Sequence, residues 1–320
     1  MSEDYTQLKG VTSIGRPLLN EQLEYNLIDF FNWGFLNIGG FNNVNLTSSG
    51  VYGTNLSRLR LINEPNYSSG QVWETFRPNL VWETGVNYST SPISISGVYI
   101  NNSFYPINTT GVYAYSINYP YGRVIFNSPI ATGSIVQMEY SYRRVTMLSN
   151  KSQFSKTLLF DSFRPDRNGF LNGSGTMSLL AQSRLHLPAI VVQVADNRRN
   201  IPMQIGGGHY AEQDVLFYIF TEDAFSLQNL KDIICNQVDK TIYLYDRALA
   251  LESGVFPLNY KGALNSGFLI YPDLVKSPTQ GGYRYKRCLF MNTNPQDEQN
   301  AIGFYSSVVR VKFSVDCPDF

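Results

Sequence analysis

Ser134-Ile-Val-Gln-Met-Glu-Tyr-Ser-Tyr-Arg-Arg-Val145 decides the fold class. Ile135, Gln137, Glu139, Ser141 and Arg143 alternate there with Val136, Met138, Tyr140, Tyr142 and Arg144. Successive side chains of a strand point to opposite faces, so a period of two predicts β-structure. The same reading extends upstream. Val98-Tyr-Ile100, Asn101-Asn102 and Ser103-Phe-Tyr105 form a predicted hairpin, because Asn tolerates the positive φ of a tight turn. Tyr121-Gly122 leads into a strand at Arg123-Val-Ile-Phe126. Leu59 and Leu61 alternate with Arg58 and Arg60 in a shorter one. Turn chemistry every 8–12 residues between about 46 and 150 points to an antiparallel β-sandwich or small barrel.

The flanks read differently. Before the strands, Leu19, Leu23, Leu27 and Phe30 recur at helical spacing, with Pro17 in the first turn and Gly39-Gly40 at the stop. This helix must dock its stripe on the body of the protein or on a neighbouring subunit. After the strands, residues 151–175 are polar and turn-rich and read as a linker. Residues 176–320 mix elements. Strands are expected at Leu187–Val194, Val215–Phe220, Thr241–Tyr245, Tyr283–Asn292 and Tyr305–Val315. A helix is expected from Ser226, its N-cap, to about Val238, with Phe225 and Leu230 closing a hydrophobic staple. The predicted order is a helical segment at 1–45, a β-module at 46–150, the linker, and an α+β domain at 176–320. The fold class is α+β.

Composition narrows the function. Lys plus Arg is 25 and Asp plus Glu is 25, so the net charge of zero disfavours a general polyanion binder and favours association. Charged residues are only 16%, while 22 Tyr and 20 Phe suit strands and contact surfaces. Cys235, Cys288 and Cys317 are too few and too widely spaced for a disulfide framework. No run is long and apolar enough to cross a bilayer, and the N-terminus has no signal-peptide pattern.

Reaction chemistry has little footing. No phosphate loop, nucleophile elbow, zinc-protease helix or dinucleotide fingerprint occurs. His186 and His209 would be the only imidazole ligands of a metal-dependent hydrolase. No catalytic residue, metal or cofactor is assigned. Ile205-Gly-Gly-Gly-His209 reads as a loop between two strands, either a flexible turn or a loop docking on a partner. Trp73 and Trp82, in a Trp-Glu-Thr echo, would stack on sugars if exposed. Arg143-Arg144, Arg198-Arg199 and Lys286-Arg287 are basic pairs that would touch phosphates only in a channel.

Several stretches carry a resemblance. Leu18-Leu-Asn-Glu-Gln-Leu-Glu-Tyr-Asn-Leu-Ile-Asp-Phe-Phe-Asn-Trp-Gly-Phe-Leu-Asn-Ile-Gly-Gly40 resembles the start of structural proteins from contractile-tailed phages, cyanophages especially. Gly122–Ile130 with Val136–Tyr142 resembles a β-module of phage virion proteins. From Leu187-Pro-Ala-Ile190 onward the chain is similar to the neck and tail-terminator class. The resemblance implies a structural subunit of the virion, assembled in the host cytoplasm, and no catalytic residues. It also implies a homo-oligomeric, hexameric ring at the head–tail junction, meeting other neck, tail or portal proteins. Nucleic acid would at most pass through the channel. Gly206, Gly207, Gly208, His209 and Tyr210, loop 261–283, and the helix stripe Leu19, Leu23 and Phe30 are then the expected interface elements. The large β-module departs from a simple terminator. The alternative is an adhesin or fibre-attachment protein holding glycan through Trp73 and Trp82.

Overall fold

The computed structural model describes residues 19–50, 53, 55–152, 155, 186–204, 207–296, 299–301 and 304–317. Pro17, Gly206, most of the 151–175 linker and the Asn172–Gly175 stretch lie outside them. The fold is α+β, with an N-terminal helix and mostly antiparallel strand pairing. The chain divides into two compact units. One comprises Phe30–Ile190 and Phe256–Ile270; the other comprises Met1–Asp29, Val191–Val255 and Tyr271–Phe320. The division differs from the sequential expectation at both ends: the helix contributes to both units, and part of the 261–283 loop belongs with the β-module.

The helix α1 spans Leu19–Asn37. Its end is a Schellman motif: Gly39, at φ +81°, donates to Leu36 O, and Gly40 N donates to Phe35 O at 2.7 Å. Leu19, Leu23 and Leu27 are buried within the chain, so Leu19 and Leu23 are packing residues and offer no surface to a partner; Gln22, Glu24 and Asn26 are buried too, and Phe30 is half-buried. This helix is enclosed on more than its apolar stripe.

The β-module holds β1 (Phe41–Val44), β2 (Arg60–Leu61), β3 (Val72–Glu74), β4 (Gly97–Ile100), β5 (Ser103–Pro106), β6 (Tyr115–Asn118), β7 (Arg123–Phe126), β8 (Val136–Met138), β9 (Tyr140–Arg143) and β10 (Thr146–Ser149). Three small sheets run β1-β9, β2-β3-β7-β6 and β5-β4-β8. All of them feed one core, containing Val44, Trp73, Val98, Phe126, Met138 and Tyr140. The predicted hairpin is present at the expected positions, with Asn101 and Asn102 at φ 49° and 67°. Alternation holds for Val136, Met138 and Tyr140, but Ser141 and Arg143 are buried too. The strand is covered on both faces there, so the outward set does not reach water. Leu258 and Leu264 of the late loop pack on this core. Asn118 Nδ2 donates to Lys261 O, and Tyr119 N to Gly262 O, at 2.9 Å each. The chain itself orders this part of the 261–283 loop, so no partner is needed for it.

The other unit is built on β11 (Ala189–Val194), whose first residues fall at the division, β12 (Arg199–Gln204) and β13 (Gly207–Thr221). Next come α2 (Ala224–Cys235), β14 (Thr241–Tyr245), α3 (Arg247–Glu252) and α4 (Tyr271–Leu274). It ends with β15 (Arg284–Pro295), β16 (Gln299–Ala301) and β17 (Phe304–Cys317). Its sheet runs β11-β13-β17-β15-β14. The β13–β17 ladder extends unbroken from Thr221 opposite Tyr305 to His209 opposite Cys317. Val215, Phe217, Val311 and Phe313 line its buried face, and Leu227, Leu230 and Ile234 of α2 cover it.

Two local expectations fail for physical reasons. Asp223, not Ser226, caps α2: its carboxylate accepts from Ser226 N and Ser226 Oγ, both at 2.7 Å. The ionised cap binds the first-turn donors and complements the helix dipole. Phe225 is 77% exposed and makes no staple, and Val238 lies exposed beyond the helix. At the far margin of the sheet, Asn26 replaces a neighbouring strand. Its Nδ2 donates to Tyr245 O at 3.0 Å, and Tyr245 N donates to its Oδ1 at 2.8 Å. Both main-chain groups of that edge residue are thereby satisfied.

Candidate functional site

The sites expected from sequence separate once they are placed. Trp73 is 3% exposed, inside the β-module core, with Nε1 donating to Gly70 O at 3.0 Å. A sugar cannot reach its face. Trp82 is half-buried and has two packing neighbours. The Arg143 guanidinium stands 4.6 Å from its ring centroid, and Tyr119 meets it edge-on at 6.1 Å. Burial of Trp73 removes it from the expected pair of stacking residues.

Arg143 explains that packing. Its side chain is 2% exposed, and its Nη2 donates to Glu83 Oε1 at 2.5 Å. Glu83 Oε2 also accepts from Trp82 N. Arg143 Nε and Nη1 have no protein acceptor. The pair is a structural centre closed to phosphate. Arg144 instead places its guanidinium on Asn42 Oδ1. Burial drives the neighbouring phenols up: Tyr119 to about 12, and Tyr115 and Tyr140 well above the ordinary range.

The two histidines fall in different units. His186 Nδ1 meets the Arg77 guanidinium. His209 lies in β13, opposite Pro202 and Cys317, so it belongs to a ladder and is not carried on a loop. Gly207, Gly208 and Tyr210 lie in the same strand; Gly206 is outside the described residues. Among the described residues no three His, Cys, Asp or Glu side chains gather to hold a metal. No described helix is long and apolar enough to cross a membrane.

The surface with binding chemistry lies elsewhere, along the free margin of the β5-β4-β8 sheet. The Asn-Asn turn fixes the hairpin that presents it. Phe104 lies over Gly97, where a Cβ would come within 2.6 Å of its ring, and Tyr99 packs against it at 5.0 Å. The aromatic ring covers the backbone that the glycine leaves bare. Tyr105 meets Tyr113 at 4.6 Å, and its carbonyl accepts from Tyr115 Oη. Despite these contacts Phe104 remains 45% exposed and Val112 64%; Ile107 and Tyr113 are exposed too.

The backbone of this margin is closed. Pro106 has no N–H to offer, and its carbonyl accepts from Thr109 N at 2.9 Å and Thr109 Oγ1 at 2.7 Å. A strand cannot extend along it past Phe104. What remains available is side-chain surface, apolar and aromatic. The segment that forms β4 and β5 is free of charge: from Thr84 to Gly122 the chain carries no Asp, Glu, Lys, Arg or His. That uncharged run was the sequence signal for this face. A search for motifs, basic pairs and tryptophans passes over it, because its information lies in residues that are missing.

No protein-family model and no curated protein matches the chain.

Proposed function

We propose that the chain is a structural subunit of a tailed-phage particle that acts by assembly and carries no enzymatic activity. The observation that supports this most is the exposure of Phe104, Ile107, Val112 and Tyr113 on a segment of the chain without charge. Large apolar groups left in water are stabilised by contact with another surface, and a depletion of charge beside aromatics marks the centre of such contacts. Zero net charge removes the long-range repulsion that would hold copies apart. The resemblance of the N-terminal helix, the β-module and the C-terminal strands to virion proteins gives assembly its setting, a neck, connector or tail-terminator ring within the virion. Its neighbours are other neck, tail or portal proteins. Native mass measurement and negative-stain imaging of the purified chain, at two concentrations, test the reading. Rings that grow in population with concentration are expected. A species that stays monomeric at every concentration and in the presence of virion fractions sinks it.

A further inference from the structure

Three strands of the C-terminal sheet bring a thiol, an amine and an imidazole into one row, all within one unit. Cys317 ends β17 and faces His209 across the ladder to β13. On its other side, β15 pairs Cys288 with Val315, so two residues further on Lys286 lies beside Cys317. The side chains meet: Lys286 Nζ donates to Cys317 Sγ at 3.4 Å. Residues opposite one another in an antiparallel ladder share a face. Here it is the buried face, since Cys288, Val315 and Ala211 in the next row are fully buried. Cys317 itself is 3% exposed, and His209 Nε2 is buried without a hydrogen-bond partner.

We propose that this row is a modification site, at which Lys286 and Cys317 form a cross-strand bridge through one oxygen atom, Nζ–O–Sγ, when the chain meets dioxygen. The proposal does not depend on the assembly reading. The step balances with dioxygen as the oxidant. The lysine ammonium first releases one proton to solvent. The O–O bond, one N–H bond and the S–H bond then break. An N–O and an O–S bond form, and the second oxygen leaves as water. Nitrogen and sulfur each give up two electrons, and dioxygen takes all four. His209 Nε2, unpartnered in the same row, offers a base for the thiol proton.

The competing outcomes fit the geometry less well. Cys288 stands diagonally from Cys317, where Cα atoms are about 7–8 Å apart. A disulfide spans about 4.4–6.8 Å between Cα atoms, so that pair cannot close without backbone movement. A metal needs further ligands, and among the described residues no three His, Cys, Asp or Glu side chains gather. Lys286 is already in contact with the sulfur. The bridge joins residues 31 positions apart and pins the end of β17, which pairs with both β13 and β15. A link of that span restricts the unfolded chain and raises the melting temperature. Two dithiols return the four electrons and restore the amine and the thiol, with the oxygen leaving as water. The link is thus a reversible, redox-sensitive clamp.

Mass spectrometry of the full chain tests this, on protein kept anaerobic with dithiothreitol and on the same protein after exposure to air. Exposure should add one oxygen and remove two hydrogens, a gain of about 14 Da. The peptides carrying Lys286 and Cys317 should be joined, and dithiothreitol should separate them and reverse the gain. The bridged chain should melt several degrees above the reduced one. Lys286→Arg keeps the cation without a primary amine, and Cys317→Ser removes the sulfur; each should lose the gain completely. Cys235→Ser, at a free thiol elsewhere in the unit, should keep it. K286R gives the answer even where C317S, at a buried position, fails to fold. A gain retained by K286R overturns the proposal. So does oxygen added to Cys317 without loss of hydrogen, which marks a thiol oxidised alone. A loss of two hydrogens only, which marks a disulfide, or a mass unchanged in air also overturns it.

Discussion

The two units bury their interiors by different means. In the C-terminal sheet, long strands satisfy their own backbone. The β13–β17 ladder pairs thirteen residues on each side without a bulge, and the face beneath α2 is Val, Phe and Ile. In the β-module the strands are four residues or fewer. The many turns and loops between them need other partners, and side chains provide these. Ser57, Glu74, Thr75, Glu83, Ser141 and Arg143 are all buried. Thr75 Oγ1 donates to Arg77 O, Ser57 Oγ to Leu46 O, and Gln71 Nε2 to Phe126 O and Asn127 O. The Asn, Ser and Thr that give this chain its polarity thus lie partly inside it. The long-stranded unit also buries polar groups, Gln22, Glu24 and Asn26 of α1 and Gln213, Asp214, Thr221, Ser306 and Ser307 of its ladder. The units differ in how the backbone is satisfied, by long ladders in one and by side chains at turns in the other.

The largest expected effect tests the long-ladder side of that comparison. Phe313→Ala removes a fully buried ring that meets Phe290 edge-on at 4.5 Å. The loss should be about 4–5 kcal/mol, since the rigid ladder cannot collapse into the cavity. Denaturant unfolding with probes in each unit should show the loss in the C-terminal sheet. An equal shift of both probes would mean that the units unfold as one.

The short-stranded side gives a smaller but more diagnostic result. Glu83→Ala leaves the Arg143 guanidinium buried without its carboxylate, at a cost of about 3 kcal/mol. The double variant Glu83→Leu with Arg143→Met should recover most of that loss, because two apolar groups need no partner. A double variant no more stable than the single one would show that Trp82 requires its cation.

Arg143 also marks the limit of what the sequence could tell. The hairpin read at Val98–Tyr105 from its Asn-Asn turn and the strand expected at Thr241–Tyr245 are both present, because each meets ordinary pleated surroundings. Period two grouped Arg143 with Glu139 on one face, and alternation alone does not say whether that face is covered. The covering of that second face is made by residues distant in sequence, Trp82 and Glu83, and no local pattern carries it. The helix cap was misplaced by three residues for a related reason: Asp223 and Ser226 are both good caps, and only the geometry shows which one accepts. The candidate surface was legible in principle, as an absence of charge, yet exposure had to be seen before that absence acquired meaning.

Alkaline titration compares the units through their phenols. Tyr119 in the β-module titrates near 12 instead of 10, and Tyr115 and Tyr140 are raised further by burial. A phenol whose folded value lies above its unfolded value favours the protonated fold. The stability it lends is therefore complete below about pH 10 and is lost as pH rises through the folded value. For Tyr119 this amounts to about 2–3 kcal/mol. Tyr245 in the other unit is raised as well, by burial first and by Asp29 second. Phenolate absorbance should therefore appear in one early phase, from exposed tyrosines, and in a second phase coincident with unfolding. A smooth single titration would show that the buried phenols reach water without unfolding.

The smallest change sits where fold and proposed contact meet. Asn102 has φ 67° at the hairpin tip. Asn102→Gly keeps that conformation available and should alter stability by only a few tenths of a kcal/mol. Asn102→Val should cost about 1–2 kcal/mol, because a branched side chain resists the left-handed region. Asn102 itself is exposed and polar, so neither change removes apolar surface from the margin. If the hairpin serves only its own unit, both variants should associate like wild type whatever their melting temperature. If the hairpin also positions a surface used in assembly, N102V should weaken association in proportion to its destabilisation, while N102G leaves both intact. The paired measurement separates a turn that stabilises a sheet from one that also aims a surface.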